Sequence, residues 1–169
     1  MALAALGGPA PAQDIGALVR SGISSVGSSG TSDDGARLPE QRVLRDEIDG
    51  FFQAYGQAFD AMDANRIASL HHAPCLKIHG DGSIQCLPTP EAVRGFFQAL
   101  MERYRERENH SAIFLDLEVV AIGAHAALAA VTWEQKRTDG RVYRRFRRSY
   151  NLVRAGPGWK IVAATAHRE

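Results

Sequence analysis

From Val43 onward, apolar residues recur at helical spacing. Leu44, Ile48, Phe51, Phe52, Tyr55 and Phe59 form one stripe about four turns long, which predicts an amphipathic helix. Asp60-Ala61-Met62-Asp63 then introduces a short second helix carrying Ile67 and Leu70 and ended by Ala73-Pro74. Residues Cys75–His79 read as a strand, and Gly80-Asp81-Gly82 as the turn of a hairpin returning through Ile84–Leu87. A third helix starts at Thr89-Pro90-Glu91, with Thr89 as N-cap and Pro90 in the first turn. It places Val93, Phe96, Phe97, Leu100, Met101 and Tyr104 on one face.

After Asn109 the period changes to that of strands. Residues 112–122, 125–137, 142–154 and 159–166 are four β-rich stretches, separated by Gly123-Ala124, Thr138-Asp139-Gly140 and Gly156-Pro157-Gly158. Links this short force neighbouring strands to be antiparallel. The expected fold is therefore α+β: a cone-shaped, curved antiparallel sheet with three helices packed on its concave side, enclosing a cavity.

Composition limits what this fold can serve. Of the first 40 residues, 23 are Ala, Gly, Ser or Pro, and all 13 aromatics follow residue 50. Residues 1–40 are expected as a flexible leader and 41–169 as the single folded domain, because the leader has too little apolar surface to offset its ordering entropy. No Lys or Arg precedes Arg20, and the apolar run Ala2–Leu6 is too short for the core of a secretory signal, so a cytoplasmic protein is expected. No apolar run approaches the ~20 residues that span a bilayer, so no membrane partner is expected.

A net charge of +1 over 169 residues excludes a general polyanion binder. Charge is unevenly placed, however. Five arginines fall within Arg141–Arg148, interleaved with Tyr143 and Phe146. They read as a solvated strand paired with acids such as Glu102, Glu106, Glu118 or Glu134 rather than as a nucleic-acid surface, since no RNA-binding signature or Gly-rich phosphate loop accompanies them. Cys75 and Cys86 fall diagonally on adjacent strands and are expected as free, buried thiols. His71, His72, Cys75 and His79 match no recognised ligand spacing, so no metal or cofactor is expected.

The order of elements resembles the nuclear transport factor 2-like superfamily, the cone-shaped SnoaL-like domains. The segments carrying the likeness over residues 41–169 are Ala58-Phe59-Asp60-x-x-Asp63, Thr138-Asp139-Gly140, and Gly158-Trp159-Lys160-Ile161 leading into Ala166-His167. The resemblance implies a pocket between sheet and first helix, a small-molecule ligand and a homodimer; it implies no single reaction. Against ketosteroid isomerases only Tyr55 matches, while His79 and Ser149 stand where that family has acids. Scytalone dehydratase is the better comparison, through Asp60, Ala73-Pro74-x-Leu76-x-Ile78, Asn109-His110 and Arg148-Ser149-Tyr150-Asn151-Leu152. Phe59, Gly80 and Glu134 depart from it.

Two readings follow. In the first, His110 is acid and base with Asp60 orienting it, in cofactor-free dehydratase, isomerase or cyclase chemistry on an oxygenated apolar substrate. Tyr55, Ser149 and Asn151 then bind the substrate oxygen, within walls from Phe59, Phe97, Met101 and Trp133. In the second, the domain is a non-catalytic ligand-binding or dimerisation module. The parity of the arginine strand stays open: Ser149 and Asn151 share one face with Arg145 and Arg147, and if that face points outward, Tyr150 lines the pocket.

Overall fold

The structure, a computed structural model, describes residues 34–107 and 109–168. Its elements are α1 (Asp34–Asp60), α2 (Ala64–Ser69), β1 (His71–Ile78), β2 (Ile84–Leu87), α3 (Pro90–Glu106), β3 (Asn109–Ala121), β4 (Ala126–Arg137), β5 (Val142–Ala155) and β6 (Gly158–Ala166). The fold is α+β, a curved, unclosed six-stranded sheet in the order β2-β1-β6-β5-β4-β3 with the helices on its concave face. All pairings are antiparallel except β1 with β6. The sheet is thus mixed rather than wholly antiparallel. The long connection between β1 and β6, running through β2, α3 and β3 to β5, lets the chain's first strand meet its last in parallel.

Most of the leader lies outside the described residues. Its last stretch does not: α1 is already helical at Asp34, upstream of Val43. The apolar stripe marks the buried part of the helix rather than its start. A second difference lies at Ala73-Pro74, which does not end α2. That helix stops at Ser69, and β1 runs through Pro74 from His71. The β1–β6 ladder breaks between His71 and Leu76, where Pro74 has no N–H to contribute.

The core joins the predicted helical stripes to the inward face of the sheet. Ile48, Phe52, Tyr55 and Ala58 of α1, with Val93, Phe97 and Met101 of α3, are buried against Val131, Trp133, Tyr150, Leu152 and Ile161. Each large side chain so buried contributes about 1.5–3 kcal/mol. Phe52 and Tyr150 ring centres lie 5.0 Å apart, and Phe52 meets Trp133 edge-on at 6.2 Å. Thr89 caps α3 by accepting the Ala92 amide at 3.2 Å, and Pro90 opens its first turn.

Two contacts hold the end of α1 on β3. Gly56 comes so close that a Cβ there would stand 3.0 Å from the Ala112 carbonyl oxygen. One turn on, Asp60 Oδ1 accepts the Ala112 amide at 2.8 Å. Near the other end of the buried stripe, Glu47 Oε2 accepts the Trp159 indole N–H at 3.0 Å. No helix among the described residues is long and apolar enough to cross a membrane.

Candidate functional site

A cleft lies where α1 and α3 lean over β4 and β5, lined by Tyr55, Phe59, Leu100, Tyr104, Trp133, Gln135, Phe146, Arg148 and Tyr150. Its enclosed part measures about 20 Å³, close to the space of one water, and with the solvent-open mouth the empty volume is about 320 Å³. Strand alternation explains the lining. Val131, Trp133 and Gln135 of β4 are buried on one face, and their partners Arg148, Phe146 and Arg144 on β5 face the same way. Tyr150 and Leu152 continue that face inward.

Within the cleft most polar groups are engaged. Trp133 Nε1–H donates to Tyr150 Oη at 2.8 Å. Gln135 Oε1 accepts Arg144 Nε–H at 2.7 Å. The Phe146 ring lies between two guanidinium groups, Arg144 at 4.6 Å and Arg148 at 5.3 Å. One donor differs from these: Arg148 Nε is buried and finds no acceptor among the described residues, a rare condition for a buried polar atom.

The two buried hydroxyls of the cleft hold their protons at neutral pH. Burial pushes the Tyr150 hydroxyl up to about 12 and the Tyr55 hydroxyl well above its ordinary value. Both remain neutral donors, and the cationic Arg148 nearby offsets only part of the rise.

The sequence-predicted residues separate into three groups. Tyr55, Phe59 and Trp133 line the cleft. Phe97 and Met101, each 1% exposed, sit in the core behind it, with Phe97 edge-on to Phe59 at 6.3 Å. Ser149 and Asn151 lie on the face of β5 opposite the cleft, which resolves the open parity of that strand. Ser149 Oγ is hydrogen-bonded to His167 Nε2 at 2.7 Å, and Asn151 is exposed. Asp60 Oδ1 is committed to the Ala112 amide, a structural task. The backbone of His110 belongs to β3, but its side chain lies outside the described residues.

The outward arginines are paired: Arg145 reaches Glu134 at 2.7 Å, and Arg147 reaches Glu118 at 2.7 Å. Both cysteines are free, Cys75 buried as expected but Cys86 exposed, on a strand at the edge of the sheet. Both ring nitrogens of His71 are occupied, Nδ1 by the Ile67 carbonyl and Nε2 by Lys77, each at 2.9 Å.

Sequence reasoning missed Arg148, Gln135 and Tyr104. The signal was the apolar parity of Phe146, Tyr150 and Leu152, obscured by the two arginines interspersed on that face.

Comparison with solved structures shows this fold widely. A Mycobacterium tuberculosis protein of unknown function, Rv3472, matches with TM-score 0.64 at 15% identity, covering 85% of this chain and 78% of that one. An NTF2-like protein with a cystatin-like fold from Novosphingobium aromaticivorans matches with TM-score 0.62 at 18% identity, over 83% and 91%. A Shewanella oneidensis NTF-2 like protein of unknown function gives 0.60 at 14%, over 74% and 99%. No curated protein matches the chain. The family described as NTF2-like protein (DUF6841) matches residues 46–169, the hairpin, α3 and all the long strands included, and the chain belongs to that family.

Proposed function

We propose that the domain binds a small, mostly apolar molecule through an anionic oxygen group, and that it does so without acid–base catalysis in the cleft. The observation that carries this reading is the buried, unaccepted Nε–H of Arg148 in an aromatic wall. A carboxylate there completes the donor, with the neutral hydroxyls of Tyr55 and Tyr150 lining the same space. The apolar body then lies across the mouth on Phe59, Leu100, Tyr104 and Phe146, since the enclosed part admits little more than the oxygen group. The enzyme reading is the weaker one, because the cleft offers tyrosines of high pKa and an arginine, and Asp60 is held elsewhere.

The test is a titration followed by Trp133 fluorescence, comparing 3-phenylpropionate with the neutral 3-phenylpropan-1-ol. A charge-assisted hydrogen bond contributes about 1.5–3 kcal/mol, so the carboxylate is expected to bind at least about tenfold more tightly. Equal affinities would overturn the reading.

A second proposal concerns self-association, through the outward sheet face. Ile113, Val120 and Leu128 share that face and are exposed at 39%, 60% and 39%. Light scattering of wild type against Leu128→Lys decides it: a dimer that the substitution dissociates supports it, and a monomeric wild type overturns it.

A further inference from the structure

The chain has three lysines against seventeen arginines. Two of the lysines are ordinary. Lys136 pairs with Glu134 at 3.6 Å, and Lys160 donates to the Ser69 carbonyl. Lys77 is different in every respect. It points inward from β1 and is 5% exposed. Its Nζ stands 4.8 Å from the centre of the Phe97 ring and 5.7 Å from that of Phe96.

The partner of Lys77 Nζ is the Nε2 of His71, 2.9 Å away. The other ring nitrogen, Nδ1, faces the Ile67 carbonyl, which can only accept. Nδ1 therefore carries the ring proton, and Nε2 presents a lone pair to Lys77. A buried ammonium with a neutral imidazole and no carboxylate is a poor structural choice. An arginine, favoured elsewhere in this chain, cannot lose its proton, whereas a lysine can.

Lys77 lines an open groove between the β1–β2 hairpin and α3, together with Phe96, Phe97, Leu100, Arg103 and Arg148. The groove mixes apolar side chains, Leu87, Phe96, Phe97 and Leu100, with the cations Arg103 and Arg148. It lies beyond Leu100 and Arg148 from the cleft described above, with which it shares those two residues.

We propose that Lys77 is a nucleophilic amine that condenses with the carbonyl group of a small aldehyde or ketone in this groove to form an imine. The neutral Nζ attacks the carbonyl carbon, a C–N bond forms, and the C=O π pair passes to oxygen, which takes a proton. One Nζ proton passes through the His71 Nε2 lone pair to that oxygen, giving the carbinolamine, and the second follows the same route to the departing hydroxyl. Water leaves and the C=N bond forms, with no change of oxidation state. The groups facing Nζ favour its neutral form: burial among the phenylalanines and the Arg148 cation lower its pKa to about 8, only partly opposed by Cys75. His71, driven well below its ordinary value by burial and by Lys77 itself, stays neutral.

The experiment uses the full chain with benzaldehyde and sodium cyanoborohydride, which reduces imines to stable benzylamines, at pH 7.5, with peptide mapping over time. The lysine adducts are compared with one another, and the N-terminal amine is followed separately. Lys77 is expected to be labelled about tenfold or more faster than Lys136 and Lys160 despite its burial. Lys77→Arg removes the fast adduct and leaves the slow ones. Labelling that follows exposure, with Lys136 and Lys160 ahead of or equal to Lys77 in the wild type, overturns the proposal whether or not the variant folds.

Discussion

Trp133 donates its indole N–H to the Tyr150 hydroxyl across neighbouring strands, at 2.8 Å within the core. This bond leaves the Tyr150 proton to point elsewhere, because the oxygen has already received one. It joins the structural and the functional halves of the cleft. Removing the hydroxyl with Tyr150→Phe strands a buried donor, so unfolding in urea should show a loss of about 1–3 kcal/mol. Trp133→Phe/Tyr150→Phe should cost less than the sum of the single changes, and a strictly additive double variant would contradict the account.

The approach of α1 to β3 makes opposite predictions for two helical glycines. Gly→Ala inside a helix ordinarily stabilises by about 0.5–1 kcal/mol. Gly95 on α3 has nothing within 4 Å of a built Cβ and should follow that rule. Gly56 has the Ala112 carbonyl at 3.0 Å, and Gly56→Ala should instead destabilise by about 1–3 kcal/mol. Thermal melts of the two variants check both signs. Asp60→Ala, which releases the Ala112 amide, should cost about 1 kcal/mol and leave carboxylate binding unchanged.

Much of this architecture is legible in the sequence, and for a physical reason. The stripes Ile48–Phe59 and Val93–Tyr104 are periodic because each helix buries a single face, and Thr89-Pro90 and the glycine turns carry backbone chemistry that few other residues supply. The face of β5 is not legible. Arg144 and Arg148 interrupt its apolar parity, and only the structure shows that Gln135 and Phe146 receive them on the inward side. Lys77 is hidden for the same reason: alternation with Cys75 places it inward, but nothing local says that no acid meets it there. The parallel pairing of β1 with β6 joins residues some 90 positions apart, beyond the reach of any window.

His71 gives the protein a defined acid sensitivity. Its pKa is lowered in the folded state by burial and by Lys77, so the unfolded chain binds a proton more readily below its ordinary value of 6.5. Stability must then fall as pH drops from about 6.5, by up to about 1.4 kcal/mol per pH unit. Carboxylates with lowered values, such as Glu47 and Glu134, add their losses only further down. Thermal melts between pH 7 and 5 should show the decline, and His71→Gln should flatten it. An unchanged slope in that variant would assign the decline to other groups.

The central claim is that Arg148 receives an oxyanion in the cleft, and its own Nε–H reports on this most directly. A spectrum of the arginine ¹⁵Nε–¹Hε pairs, with the Arg148 signal assigned by its loss in Arg148→Lys, is recorded while 3-phenylpropionate is added. The account predicts that the Arg148 resonance moves downfield and saturates with the binding curve, while those of the outward pair Arg145 and Arg147 stay in place. A stationary Arg148 signal during binding, or the same shift produced by 3-phenylpropan-1-ol, would contradict it.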